Sequence, residues 1–270
     1  MSLYQGRALR AEKPRRRGGR LKRVLVFLAI LTALPVIAQA PWSAWRGRIF
    51  AVREIRVDGT RYLDGPAVIA ASGVKTGADL VALDLDRVRQ ALLLQPRVAQ
   101  ARIERSLPGL LKIHVSERNP VLLVEHGAPW ELDSTGVLLP PLAEGVVADV
   151  PMLAGVDLGS VPGGTLVDSP QVKRGLAWVH SLASRELQLA GDVSEIDVSD
   201  GRTTALTLMN GTRVLSPAWP PGTRTLSALR VVLADLQQRG TLAQEVDLRF
   251  DQQVIVRPVA QKGGTSARTS

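Results

Sequence analysis

Cysteine is absent from all 270 residues. That excludes thiol catalysis, Cys-based metal sites and disulfide bonds, so packed cores alone must hold the folded parts together. Histidine is scarce. His114, His126 and His180 are the only three, and no pair has the i, i+4 spacing of a helical zinc site. Each reads as a surface or structural residue. There is no Gly-x-Ser-x-Gly elbow, no Ser-x-x-Lys pair and no Walker loop, which removes the usual acyl-transfer and nucleotide-phosphate chemistries. Asp133-Ser134-Thr135-Gly136 looks superficially like an acidic-protease loop. One copy cannot share a proton between two carboxylates, so it reads as a β-turn in which Gly136 supplies a positive φ. The sequence therefore offers no catalytic residue, no metal ligand set and no cofactor site, and a non-enzyme is expected.

Charge of either sign is missing from residues 24–45, between Arg23 and Arg46. As a helix these residues reach about 33 Å, against a bilayer core of roughly 30 Å. Val, Leu, Ile and Phe dominate residues 24–37, and their insertion energies sum to roughly −3 to −6 kcal/mol. Pro35 lies late in the run, where a kink removes few hydrogen bonds, and Trp42 and Trp45 suit the headgroup layer. This predicts one transmembrane helix over 24–45. A cleaved signal peptide is the competing reading, since Ala38-Gln39-Ala40 has the small-residue cleavage pattern. Pro41 opposes it, because a proline after the scissile bond lacks an N–H and fixes φ. A buried core helix would need an amphipathic stripe, which this run lacks.

The formal net charge is +9. Residues 1–23 hold nine Lys or Arg and only Glu12 as acid, so this tail carries +8 and the remainder is nearly neutral. A high overall pI therefore does not signal a nucleic-acid-binding face on the folded part. A basic tail beside a membrane span, with Arg15-Arg16-Arg17 in it, is the positive-inside pattern. It places the N-terminus in the cytoplasm and the residues after the span on the outer side of the inner membrane.

Beyond the span the pattern changes to short strands and helices. Val52, Ile55 and Val57 precede an Asp58-Gly59 turn and predict a first strand. Pro66 to Ala71 predicts a short helix broken by Gly73. Asp84 caps a second in which Leu85, Val88 and Leu92 recur at helical spacing, and Pro96 ends it. Ala99, Ala101 and Ile103, then Leu111, Ile113 and Val115, alternate with polar residues on either side of Ser106-Leu107-Pro108-Gly109. This is a hairpin with one buried face. From about Val121 the chain has more strand. Ser169-Pro170 opens a helix with Val172, Leu176 and Val179 on one face. Val193 to Val198 and Thr204 to Met209 read as strands, with Asn210-Gly211 as a hairpin turn. Thr223 is expected to cap a helix carrying Leu226, Leu229, Leu233 and Leu236 and ended by Gly240. Pro258 stops the last strand.

The strand-helix-helix-strand-strand order resembles a POTRA domain, and of the type found in the FtsQ/DivIB family of bacterial cell-division proteins. Leu111-Lys112-Ile113-His114-Val115 with Glu117 and Pro120 is similar to the end of that domain. Trp130, Asp133, Gly136 and Leu138 match the strand-turn-strand pattern that follows it. Val246-Asp247-Leu248-Arg249-Phe250 and the apolar Val254-Ile255-Val256 are similar to the closing strands. The resemblance covers about residues 20 to 257. It implies an α+β chain: a basic cytoplasmic tail (1–23), a transmembrane helix (24–45), a POTRA domain (48–119), a second β-rich domain with two helices (120–258) and a disordered tail (259–270).

The resemblance also implies a function. Members of the family recruit the small division proteins FtsB and FtsL through the C-terminal part of the second domain, where FtsB adds a strand. Arg249 and Phe250 then fall in the partner-binding strand, with Val246, Leu248, Val254 and Val256 around them. Arg202 falls where a second basic contact is expected, so that an Arg pair would clamp an acidic partner residue. Phe250 stands where a tyrosine is common, keeping the apolar contact without the phenolic hydroxyl. The implied protein is a non-catalytic, single-pass scaffold at the septum, with its two folded domains in the periplasm. An open sheet edge suits strand addition, because its unpaired N–H and C=O groups accept another chain. Which edge is open is a question for the structure. Two rivals come from other classes. A POTRA chaperone of secretion or assembly usually carries a β-barrel or several POTRA repeats, and neither is present. An anchored envelope hydrolase would need an unrecognised site.

Overall fold

The computed structural model describes residues 18–38, 49–143, 145–250 and 253–259. The basic tail up to residue 17, the Ala40-Pro41 bond, Trp42, Trp45 and the tail from 260 lie outside the described residues. The first element is helix α1 (Gly18–Ala38). Arg20, Lys22 and Arg23 occupy its start, so its uncharged part runs from Val24 to Ala38, about 22 Å. Among the described residues no helix is long and apolar enough to cross a membrane, and residues 39–45 of the expected span lie outside them.

The first folded unit contains β1 (Glu54–Asp58), α2 (Gly65–Ser72), α3 (Leu85–Leu93), β2 (Val98–Ser106) and β3 (Leu110–Glu117). Local chemistry sets these boundaries as the sequence predicts. Gly73 ends α2 in the left-handed region at φ 68°, where a glycine carries no Cβ penalty. The Asp84 carboxylate accepts from the N–H groups of Asp86 and Arg87 at 3.0 and 3.1 Å, satisfying two donors of the first turn of α3. The strands order as β1-β3-β2, parallel for β1 with β3 and antiparallel for β2 with β3. Leu111, Ile113 and Val115 are fully buried on the central strand and pack with Val68, Val88 and Leu92 from the two helices. The Glu117 carboxylate accepts the N–H groups of Arg61, Tyr62 and Leu63 at 2.7, 2.9 and 3.0 Å. It thereby ties the loop after β1 to the end of β3.

The second unit is a nine-stranded sheet with two helices. It comprises β4 (Pro120–Glu125), β5 (Pro129–Asp133), β6 (Leu138–Leu139), β7 (Met152–Ala154), α4 (Pro170–Leu182), β8 (Val193–Asp197), β9 (Thr203–Leu208), β10 (Arg213–Pro217), α5 (Thr223–Gln238), β11 (Ala243–Asp247) and β12 (Ile255–Pro258). The order across the sheet is β12-β11-β10-β9-β8-β7-β4-β5-β6. Ser169 caps α4, its hydroxyl accepting from Val172 N–H at 3.1 Å. A Cβ on Gly175 would come within 2.5 Å of Leu153, so a glycine there lets α4 lie close to β7. Trp178 on α4 is fully buried in the main core with Leu182, Ile196, Leu206 and Val214. The Asn210-Gly211 turn joins β9 to β10 with Gly211 at φ 84°. One boundary differs from expectation. Thr223 is the first residue of α5 and Gly222 is its cap, with no side-chain hydrogen bond, because the Pro220-Pro221-Gly222 turn delivers the chain into the helix one residue early.

The two units are joined by buried charge. Arg97, at the start of β2, pairs with Glu131 of β5 at 2.8 Å and donates to Pro140 O at 2.7 Å, and both residues of the pair are buried. Arg118 donates to Asp133 at 2.7 Å.

Candidate partner-binding edge

A sheet of nine strands has two edges, and they are treated differently. At the β6 edge a returning segment covers the strand. Leu138 N–H donates to Thr165 O at 2.9 Å, Gly164 N–H donates to Leu138 O at 2.7 Å, and Val167 N–H donates to Gly136 O at 2.9 Å. Leu138 and Leu139 are fully buried. Behind them, Asp133 organises the turn: its carboxylate accepts from Thr135 N–H, the Thr135 hydroxyl and Val137 N–H at 2.8, 2.7 and 2.9 Å. Burial raises its pKa, but the hydrogen bonds from Thr135 and Arg118 and the backbone outweigh that and hold it below the ordinary Asp value of 3.8.

The β12 edge has no such cover among the described residues. β12 pairs antiparallel with β11, with Val246 opposite Val256 and Asp247 opposite Ile255, and on its outer side no described strand follows. Ile255, Arg257 and Pro258 are exposed. A short strand with an unpaired outer row is a template for an added chain.

Placed on this frame, the expected partner-binding residues divide. Val246 and Leu248 are at most 2% exposed, so their side chains belong to the core. Val254 and Val256 are partly buried and pack against the same core, so Val256 serves the edge through its backbone. Phe250, 51% exposed, is the free apolar side chain of the set, and Ile255 at 39% joins it. Strict alternation in β12 explains this: Val254 and Val256 face in, leaving Ile255 and Arg257 out.

The two arginines also differ. Arg249 is not a free clamp. Its Nε donates to Asp247 Oδ1 at 3.0 Å and its terminal nitrogen to Oδ2 at 2.6 Å. That pair holds the Asp247 carboxyl below the ordinary carboxylate range and pushes the Arg249 guanidinium up. Arg202 is exposed, and its backbone N–H donates to Asp200 Oδ1 at 2.9 Å. Asp200 Oδ2 is taken by the Thr203 hydroxyl at 2.7 Å. The loop itself is fixed from below by Arg174, whose guanidinium donates to the carbonyls of Asp200 and Val198. Of the two, Arg202 is therefore the one whose guanidinium makes no hydrogen bond to a carboxylate among the described residues. No group of three or more His, Asp or Glu that could hold a metal ion occurs among the described residues.

The fold and edge together define a class: a β-α-α-β-β unit followed by a mixed sheet with one covered edge and one that is bare among the described residues. The family model described as POTRA domain, FtsQ-type matches residues 50–118, the whole of the three-stranded unit. Several relatives are similar along most of the chain. Cell division protein FtsQ of Anaeromyxobacter sp. (strain K) is 27% identical over 96% of this chain and 89% of its own. That of Syntrophotalea carbinolica is 28% identical over 77% and 74%, and that of Streptomyces venezuelae 29% identical over 83% and 80%. Residues 50–118 thus match an FtsQ-type POTRA domain, and the chain is similar along most of its length to cell division proteins FtsQ.

Proposed function

We propose that this chain is a non-catalytic scaffold of the division machinery, anchored in the inner membrane, that recruits FtsB- and FtsL-type proteins by adding a partner strand to β12 at the septum. The observation that carries the reading is the contrast of edges: the same sheet has one end closed by its own chain, and the other uncovered among the described residues. The relatives' name, cell division protein, supports the process. In this reading residues 48–119 and 120–258 are two domains on the periplasmic side, and residues 24–45 span the membrane with the N-terminus in the cytoplasm.

The anchor reading is supported by the state of α1. Val24, Leu25, Val26, Phe27, Leu28, Ile30 and Leu31 are all more than half exposed, and the helix is apolar on all sides after Arg23. Exposed apolar side chains in such a row suit lipid as their solvent.

The edge reading is tested by changing Phe250 to Lys in the full-length protein and pulling down the FtsB-type protein of the same organism. Loss of pull-down with an unchanged melting temperature is expected. Full-strength pull-down would reject the edge. A fluorescent fusion that reaches midcell in cells supports the division role, and uniform envelope staining would reject it.

A further inference from the structure

We infer that Trp219 is the aromatic anchor of the partner site, receiving an apolar side chain of a partner segment that leaves β12 and carries a carboxylate to Arg202. The inference rests on the strand-addition reading above and extends it across the end of the sheet.

Three strands end or begin at the same end of the sheet as the start of β12. β10 and β11 are parallel, with Leu215 beside Asp247, and Leu248 N–H donates to Leu215 O at 2.8 Å. The residues that follow β11, Arg249 and Phe250, therefore emerge beside those that follow β10, Ala218 and Trp219. On the other side, Ala218 N–H donates to Arg202 O at 2.9 Å, placing Arg202 at the head of β9 next to Trp219. With neighbouring strands about 4.8 Å apart, Phe250, Trp219 and Arg202 form a row leading from the bare edge inward.

Trp219 is 54% exposed, unusual for the largest side chain in a loop, yet its backbone is locked. The carbonyl of Ala218 accepts from the Thr204 hydroxyl at 2.7 Å and from the Trp178 indole N–H at 3.2 Å, and two prolines follow Trp219. A rigidly presented, half-exposed tryptophan loses little entropy on binding, which is the usual character of an interface hot spot. Charge selects the occupant. Arg249 is already satisfied by Asp247, whereas the Arg202 guanidinium makes no hydrogen bond to a carboxylate among the described residues. The segment that fits is extended on β12, apolar over Phe250 and Trp219, and acidic at Arg202.

The test uses the full-length protein in detergent and the extracytoplasmic segment of the FtsB-type protein as probe. Trp219→Ala is expected to weaken binding about 30-fold or more, with an unchanged melting temperature because the side chain is exposed, and Trp219→Phe to restore most of the affinity. Binding should change tryptophan emission in the parent protein and not in Trp219→Phe. If Trp219→Ala binds like the parent while Phe250→Lys does not, the anchor is rejected and the strand edge stands. If the parent itself does not bind, both fall. If emission changes with protein concentration alone, as the chain self-associates, a second copy is the occupant and the acidic-partner assignment is overturned.

Discussion

The two edges of the nine-stranded sheet solve the same problem in opposite ways. At β6, backbone groups are paired with residues 164–167, and the strand beside it places Glu131 and Asp133 against Arg97 and Arg118. Arg97, Glu131 and Asp133 are buried there, Arg118 partly so, and the charges are mutually committed. At β12, the ion pairs Arg249–Asp247 and Arg257–Glu245 lie with their arginines open to water, and the strand's outer row is bare among the described residues. Burial turns an ion pair into a structural commitment, because each partner left alone is an uncompensated charge. Exposure leaves it exchangeable. One edge is thus part of how the two units are joined, and the other is available.

Perturbing each edge should therefore give unequal stability costs. The largest falls on Arg97. Arg97→Ala strands Glu131 in the interior and should cost about 3–5 kcal/mol in denaturant unfolding. Arg97→Met combined with Glu131→Leu should recover most of that loss. A double variant no better than Arg97→Ala would show that packing, not charge, joins the units.

Next is Asp133→Ala, which leaves buried Val137 N–H and Arg118 without their acceptor, at a cost of about 2–3 kcal/mol. The same carboxylate gives a pH signature. Its folded pKa lies below the ordinary 3.8, so the native state binds fewer protons than the unfolded one. Its stabilisation is complete above the unfolded value and is lost as pH falls through the folded one. Acid titration of the denaturation midpoint should be flatter in Asp133→Asn than in the parent.

On the open edge the effects shrink. Arg249→Ala removes a partly exposed pair and should change stability by no more than about 1 kcal/mol. Ile255→Lys, at an outward position of β12, should stay within about 0.5 kcal/mol in thermal melts while removing partner pull-down. A large destabilisation by Ile255→Lys would mean that β12 is a core strand and the contrast of edges is wrong.

Much of the fold was legible because its signals are local. Asp84, Ser169, Gly73 and Asn210-Gly211 act within a few residues of themselves, and Leu111-Ile113-Val115 declares its own buried face. What escaped is long-range. Arg97 meets Glu131 across 34 positions, and Leu138 is covered by residues 164 and 165, contacts that no periodicity announces. The candidate site was half legible. Phe250 and Arg202 are exposed while Val246 and Leu248 are core, and alternation alone does not separate them, because Val246, Leu248 and Phe250 share one parity and the strand has already ended before Phe250. The Arg249–Asp247 pair was likewise readable from its i, i+2 spacing. Trp219 was hidden because Ser216-Pro217-Ala218-Trp219-Pro220 reads as a plain turn, and only the three hydrogen bonds on Ala218 show that the turn is rigid.

The central claim is that β12 is the receiving edge. Amide hydrogen exchange of the full-length protein, with and without the extracytoplasmic segment of the FtsB-type protein, tests it most directly. The account predicts that the segment slows exchange at Ile255, Val256 and Arg257 while Leu138 and Leu139 at the covered edge are unchanged. Binding with no added protection in β12 would contradict it.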